Sequence, residues 1–593
     1  MLSLTGKKWR MANGHQRAGA ALAQVSGLHP VVANILAGRG YDAIEQAEAF
    51  LSPNLGALPD PATLKDIDVA VARVAAALEN SERIAVFGDY DVDGTAATAL
   101  MTRYFRALGV EPLRYVPDRL TEGYGPSPAA MQVLHGKGVQ LVMTVDTGIA
   151  AQTALEEAQR LGMDVVVTDH HPPHGPLPPA VALVDPNRAD DTSDLQGLCG
   201  TGVAFYLLMA LNRYLRERGF FSATRPEPKL GQWLDLVALA TVCDVMPLTA
   251  ANRILVAKGL QQLGTWRHRG LATLAEVAGV KDNLSASTFG FALGPRLNAA
   301  GRLESALAAV ELLLADDDST ALPLARQLDA LNHERRELEQ ATVAEAMAMA
   351  EAMVDDTTAL LVLANPAWHP GVVGLAASRV KERTGRPTFI LGGGEGGTLK
   401  GSGRSVEGID LGAAVGAAQA LLVSGGGHAM AAGLTLDAAK LDALRAALNA
   451  HVLGQVTARP DYDAAVPLAT HLAPTLTLES EVIPASCTVE LARLFTRLEP
   501  FGNGNPEPLL ALSKVQVAYA KPVGKTQEHL KLRLAGADGS QLDAIAFGAM
   551  NTPLGPALTS KQANALTLAG HLRINTFMGN ERVDFQVVDG RVG

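Results

Sequence analysis

The segment Phe87-Gly88-Asp89-Tyr90-Asp91-Val92-Asp93-Gly94 sets three carboxylates at every second position before a glycine. Like charges packed this closely repel one another, and a hard divalent cation is their natural compensation. An EF-hand calcium loop also opens D-x-D-x-D-G, but it needs a bidentate glutamate at its twelfth position, and counting from Asp89 arrives at Leu100. The loop also follows a strand-like run, RIAVFG, where an EF-hand requires a helix. Two later loops carry what a metal site would still lack: Thr144-Val145-Asp146-Thr147-Gly148, and Thr168-Asp169-His170-His171. Taken singly, an aspartate at a strand end is a turn or helix cap, and a histidine pair in a loop means little. On successive parallel strands the three loops converge. Asp244, set in the apolar run LVALATVCDVMPL, is a fourth candidate, because a carboxylate among so many apolar residues needs a partner or a cation. A mixed Asp/His set without cysteine suits Mn²⁺ or Mg²⁺ better than structural zinc.

Such a cluster needs a scaffold that brings distant loops to one edge. Between residues 80 and 190, β-rich apolar runs alternate with helical patterns: RIAVFGDYD, TAATALMTRYFRALG, VQLVMTVDTG, TALEEAQRLG and DVVVTDHH. This βαβ order predicts a parallel sheet whose strands end in Asp or His at the carboxyl edge, where open α/β sheets place their ligands. A second α/β unit begins near residue 357, after a stretch rich in Ala, Leu, Glu, Gln and Arg that reads as one long helix. From about residue 459, short alternating segments such as HLKLRLA and QLDAIAFG predict a small β-barrel or sandwich. The expected division is an N-terminal segment, 1–79, packing on the catalytic core; a catalytic α/β domain, 80–317; a connecting helix, 318–355; a second α/β domain, 356–458; and an all-β domain, 459–593. At 593 residues the chain exceeds one hydrophobic core, and its 48% hydrophobic content is ample for several.

In order, DYDVDG, the TVDTG aspartate, TDHH and the ATVCDVMPL aspartate resemble the Asp-His-His (DHH) phosphoesterase superfamily, and within it the RecJ exonucleases. The resemblance implies that Asp91, Asp93, Asp146, His170 and Asp244 ligate two divalent ions, Mn²⁺ or Mg²⁺, with Asp146 bridging. It gives catalytic places to Asp89 beside the metals, His171 facing the scissile phosphate and Asp169 orienting histidine. Related pyrophosphatases place a histidine ligand where Phe87 stands, which disfavours that activity. The resemblance extends to a DHHA1-type second domain and a C-terminal OB-fold, and implies a 5′-to-3′ exonuclease for single-stranded DNA. An oligonucleotide or cyclic-dinucleotide phosphodiesterase and a non-catalytic DNA-binding scaffold are the alternatives.

The metal cluster alone does not select the substrate. GSGRS at 401–405 and GGGH at 425–428 are glycine turns able to approach an anion, or plain turns. By resemblance Ser402, Arg404, Gly426, Gly427 and His428 bind substrate, as do Arg119, Arg296 and Arg302, since guanidinium forks suit phosphate. Salt bridges within a loop are the alternative for Arg296 and Arg302. Pro500-Phe501-Gly502-Asn503-Gly504-Asn505-Pro506 is a further RecJ-like segment. The net charge of −11 counts against nucleic acid, yet residues 379–404 and 513–533 are locally basic, as DNA-binding stripes or as ordinary solvated faces. No run is long and apolar enough to span a membrane, and the start lacks a secretory signal, so a cytoplasmic location is expected. Single-strand-binding protein and a helicase are partners that the family implies.

Overall fold

The computed structural model describes residues 2–12, 15–119, 121–281, 284–560, 566–577 and 580–592. The chain divides into two compact units, one of residues 49–335 with 499–506, the other of 1–48, 336–498 and 507–593.

The second unit begins at the N-terminus with strand β1 (Lys8–Met11). The catalytic unit is built on five strands, β2 (Ile84–Gly88), β3 (Leu113–Tyr115), β4 (Leu141–Val145), β5 (Asp164–Thr168) and β6 (Ala182–Val184). They lie in the order β3-β2-β4-β5-β6 and every pairing is parallel. The central strands β2 and β4 are buried along their whole length, which is why both read as near-continuous apolar runs rather than alternating ones. Four helices matter to the site: α1 (Val92–Ala107), α2 (Gly200–Glu217), α3 (Leu234–Cys243) and α4 (Gly294–Leu303). The first three bury most of their residues in one apolar core with Val86, Met143, Val145 and Val184 of the sheet. A 36-residue helix, α5 (Asp318–Met353), follows, and the division between units falls within it.

In the other unit, β7 (Leu361–Ala364), β8 (Thr388–Gly393), β9 (Thr398–Arg404), β10 (Ser424–His428) and β11 (Ala431–Asp437) form a mixed sheet in the order β10-β11-β9-β8-β7. After β12 (Thr475–Leu478) come β13 (Ser480–Val482), β14 (Leu510–Val523), β15 (His529–Ala535), β16 (Gln541–Ala546), β17 (Leu566–Phe577) and β18 (Asn580–Val592). Their order is β13-β14-β15-β16-β18-β17, and β14 also pairs with β17, closing a barrel consistent with an OB-fold.

The expected packing of residues 1–79 on the catalytic core is corrected in its first part. β1 pairs in parallel with β12, Lys8 opposite Thr475, and the Trp9 indole donates to Asp589 at 2.9 Å. Arg39 makes a largely shielded ion pair with Glu479 at 2.7 Å. The later part belongs to the catalytic unit, where Ile67, Val71 and Val74 of the helix Ile67–Glu79 are buried. A four-residue strand does not reveal in its own sequence a partner more than 460 positions away.

Candidate metal centre

Each strand of the run β2-β4-β5-β6 is followed at its carboxyl end by an aspartate: Asp89, Asp146, Asp169 and Asp185, all buried. Asp91 caps α1, its carboxylate accepting from the Asp93 and Gly94 amides at 2.8 and 3.1 Å. Helix α1 therefore starts inside the DYDVDG segment, and Asp93 stands in its first turn. Asp93 is held from the opposite side by the start of α2, where the Gly200 and Thr201 amides donate to its two oxygens at 2.6 and 2.7 Å. Two helix N-termini thus offset part of the negative charge.

Asp146 sits in the left-handed region at φ 61°, with one buried oxygen, Oδ1, that takes no hydrogen bond among the described residues. That oxygen lies 3.2 Å from His170 Nε2, which also faces Asp244 at 3.5 Å and Asp93 at 3.7 Å. Asp89 likewise keeps a buried oxygen without a partner. Three overlapping sets have ligand atoms within 4.8 Å of one another: Asp89, Asp91 and Asp146; Asp93, His170 and Asp244; and Asp146, His170 and His171. Two orphaned carboxylate oxygens, on Asp89 and Asp146, within a cluster of carboxylates that share one imidazole are the donor set that a pair of hard cations requires, so the residues fit Mn²⁺ or Mg²⁺.

The electrostatics agree. Burial, and then the charge of Asp91, pushes Asp89 up to about 8. Burial with Asp93 and Asp91 does the same to Asp244, also to about 8, and Asp146 is driven far above the carboxylate range. His170 is lowered by burial, so it is a neutral imidazole with a lone pair to offer. Burial opposes the charge on His171, but the 2.8 Å bond to Asp169 outweighs it and raises His171 to about 9. Asp169 Oδ1 also accepts from the His170 and His171 amides, and its Oδ2 from the Ile149 amide at 2.9 Å. One carboxylate thereby shapes the whole Asp-His-His turn.

Sequence reasoning assigns no role to several residues of the site, although Tyr124 lies in the RecJ-like EGYG that follows Arg119. The Tyr124 hydroxyl stands 3.3 Å from His171, its ring edge-on to that imidazole and to Tyr90. Asp185 accepts from the Asn187 amide, and Asn187 donates to the His170 carbonyl at 2.5 Å. The aspartate after a fourth apolar run, ALVD, was the available signal.

Of the arginines, Arg119 lies over the Tyr90 ring at 5.1 Å. Arg296, on a helix rather than in a loop, is held by Asp329 at 2.8 Å and by the Ala292 carbonyl at 2.7 Å. Arg302 stands in the last turn of α4. In the other unit, Ser402 and Gly426 share one row across β9, β11 and β10, and Arg404 and His428 share the next but one. Gly427 falls between them on the exposed β10. A side chain at Gly374, in the first turn of the helix Val373–Thr384, would meet both Arg404 and Ser402 at 3.1 and 3.3 Å, so all three border one spot. In the basic stripe at 379–404, Arg386 is buried and Arg379 pairs with Glu339 and Glu382, while Arg383 and Lys400 are exposed. In the stripe at 513–533, Lys514, Lys521, Lys525, Lys531 and Arg533 are all exposed, with Arg533 paired to Asp543 at 2.9 Å.

Three family descriptions match the chain: the DHH family N-terminal domain over residues 83–241, the DHHA1 domain over 357–453 and the RecJ OB domain over 478–589. The single-stranded-DNA-specific exonuclease RecJ of Escherichia coli is 39% identical over 93% of this chain and 94% of its own. The protein of that name from Thermus thermophilus is 35% identical over 91% of this chain and 72% of its own. The crystal structure of the Thermus RecJ in complex with Mn²⁺ superimposes with a TM-score of 0.81 at 31% identity, covering 99% of this chain and 80% of that one. Its complex with Mg²⁺ gives 0.75 at 30% identity, covering 99% and 78%.

Proposed function

Because this chain belongs to the RecJ family of the DHH phosphoesterases, we propose that it is a metal-dependent exonuclease that removes nucleotides from the 5′ end of single-stranded DNA. The observation that carries this is the convergence on His170 of three carboxylates, Asp146 with a buried oxygen that has no hydrogen-bond partner among the described residues, Asp93 and Asp244. Asp91, Asp93, Asp146, His170 and Asp244 would hold two cations, with Asp146 shared between them. Such a pair neutralises the phosphodiester and activates water for in-line displacement at phosphorus. The protein's own part is positioning. Asp169 keeps His171 protonated and aimed, so that a cationic imidazole faces the scissile phosphate, with Tyr124 beside it. Asp89 supplies a further carboxylate at the edge of the cluster.

Substrate selection falls to the other elements. Arg404 and Ser402, next to the start of a helix at Gly374, form an anion site suited to a terminal phosphate, with Gly426, Gly427 and His428 on the same sheet. Arg119 and Arg302 are backbone contacts, whereas Arg296 acts through Asp329 as a brace. In the β domain, Lys521 faces Lys531 across β14 and β15, and Tyr519 faces Arg533. Like charges directly opposed destabilise a sheet, and an exposed aromatic beside them suits a polyanion with stackable bases. No described helix is long and apolar enough to cross a membrane. A cytoplasmic role in DNA repair and recombination, with single-strand-binding protein and a helicase as partners, accords with this substrate.

End-labelled single strands with Mn²⁺ test the reading. Label at the 5′ end is expected to leave as mononucleotide at once, and label at the 3′ end only as digestion completes; the reverse order would overturn the polarity. Preference for two-to-five-nucleotide substrates would favour the oligonucleotide phosphodiesterase instead.

A second expectation follows from the raised carboxylates. In the metal-free protein Asp89, Asp244 and His171 hold protons that the unfolded chain has already lost, so their contribution to stability disappears as pH rises through about 8 to 9. The metal-free Tm is therefore expected to fall from pH 7 to pH 9. Mn²⁺ must displace the carboxyl protons, and its affinity is expected to rise by about tenfold per pH unit for each proton displaced between pH 6 and 8. Calorimetry in buffers of different ionisation enthalpy counts those protons; a count of zero refutes the protonated cluster.

A further inference from the structure

Helix α3 ends on a motif normally built with glycine. The Met246 amide donates to the Thr241 carbonyl and the Val245 amide to the Val242 carbonyl, the paired bonds of a Schellman cap. Asp244 is the C-cap, and the next residue must adopt a left-handed backbone; here it is Val245, at φ 58°. A β-branched residue strongly resists that conformation, and glycine adopts it freely. Val245 is also 65% exposed, so no burial of its side chain holds it in place. The strain sits beside a carboxylate whose direction matters.

The restraint comes from residues 499–506, the one late segment that belongs to the catalytic unit. The Asn503 side-chain amide donates to the Val245 carbonyl at 2.7 Å, and the Asn503 carbonyl accepts from the Leu248 amide at 2.7 Å. The segment is itself rigid. Gly502 and Asn505 exchange backbone bonds, the buried Asn505 side chain donates to the Pro500 carbonyl at 2.8 Å, and Arg253 grips the Glu499 carbonyl at 2.8 Å. Its glycines lie flat on the turn: a side chain at Gly502 would stand 2.7 Å from Leu248, and one at Gly504, at φ 71°, 3.1 Å from Pro247.

We propose that Asn503 is a positioning residue for the metal centre, holding the Val245 turn in its left-handed form and so aiming Asp244 at His170 and Asp93. This rests on the reading of Asp244 as a metal ligand. Removing a group that orients a ligand typically weakens metal binding by about 10–100-fold. Asn503→Ala is expected to weaken Mn²⁺ binding in that range by calorimetry on the full chain. KM for single-stranded DNA at saturating Mn²⁺ should stay unchanged, and turnover should recover as Mn²⁺ is raised. Val245→Gly removes the need for the restraint, so the double variant Asn503→Ala/Val245→Gly is expected to regain Mn²⁺ affinity to within about threefold of the parent. Unchanged affinity in Asn503→Ala, or a loss that Val245→Gly does not restore, overturns the proposal. Asp244→Ala separates the underlying reading: it should remove one bound Mn²⁺, and two sites of unaltered affinity would show that Asp244 is no ligand.

Discussion

Asp146→Asn is expected to leave a folded protein whose kcat/KM on single-stranded DNA has dropped by at least about 10³-fold. Loss of one group aimed at developing charge costs about 10²–10³ in rate, and Asp146 is proposed to serve both cations at once. The same substitution should raise the Tm of the metal-free protein. Asp146 is buried, its Oδ1 has no hydrogen-bond partner among the described residues, and burial with repulsion from Asp93, Asp91, Asp89 and Asp244 opposes its ionisation, so folding at neutral pH makes it take up a proton. An amide carries none of that repulsion, so stability and activity move in opposite directions, as expected where strain serves function. The checks are steady-state digestion of labelled strands and a melt with and without Mn²⁺. Near-parent activity would remove Asp146 from the centre, and a lowered metal-free Tm would contradict the electrostatics.

Gly200→Val is expected to cost about 10²-fold in kcat without any change to a charged or ligating group. An added Cβ at Gly200 would lie 2.5 Å from the Asp146 Cβ and 2.6 Å from its Cα, a clash with backbone that no rotamer relieves. Gly200 also donates its amide to Asp93 at 2.6 Å, so any retreat of α2 loosens a second carboxylate. Displacements of about 1 Å in a catalytic constellation cost rate on this scale. Ala at the same position should give a smaller loss in the same direction. Digestion rates at saturating DNA, with Mn²⁺ affinity by calorimetry, distinguish the cause: both should fall together, and normal Mn²⁺ affinity would mean that the site tolerates the side chain.

The chemistry of this protein is legible locally because its carriers are short motifs at strand ends. A parallel strand buried on both faces announces itself as an apolar run, and an aspartate just past it is at the carboxyl edge by construction. Asp89, Asp146 and Asp169 fall together on that ground, and the structure sets them at the ends of β2, β4 and β5. The same logic would have reached Asp185 had the three-residue β6 been recognised. Arg296 shows the limit: its type suits phosphate, and only the tertiary structure shows that Asp329 on α5 stands 2.8 Å from it.

What the sequence by itself determined is which residue types stand at which strand ends, since periodicity and loop chemistry are properties of neighbours in the chain. What the tertiary structure alone decided is who holds them. The amides of Gly200 and Thr201 on Asp93, Tyr124 beside His171 and Asn503 on the turn after Asp244 span 107, 108, 47 and 258 residues. Hydrogen bonds of that reach depend on packing distant elements to within a few tenths of an ångström, and no local pattern encodes that distance.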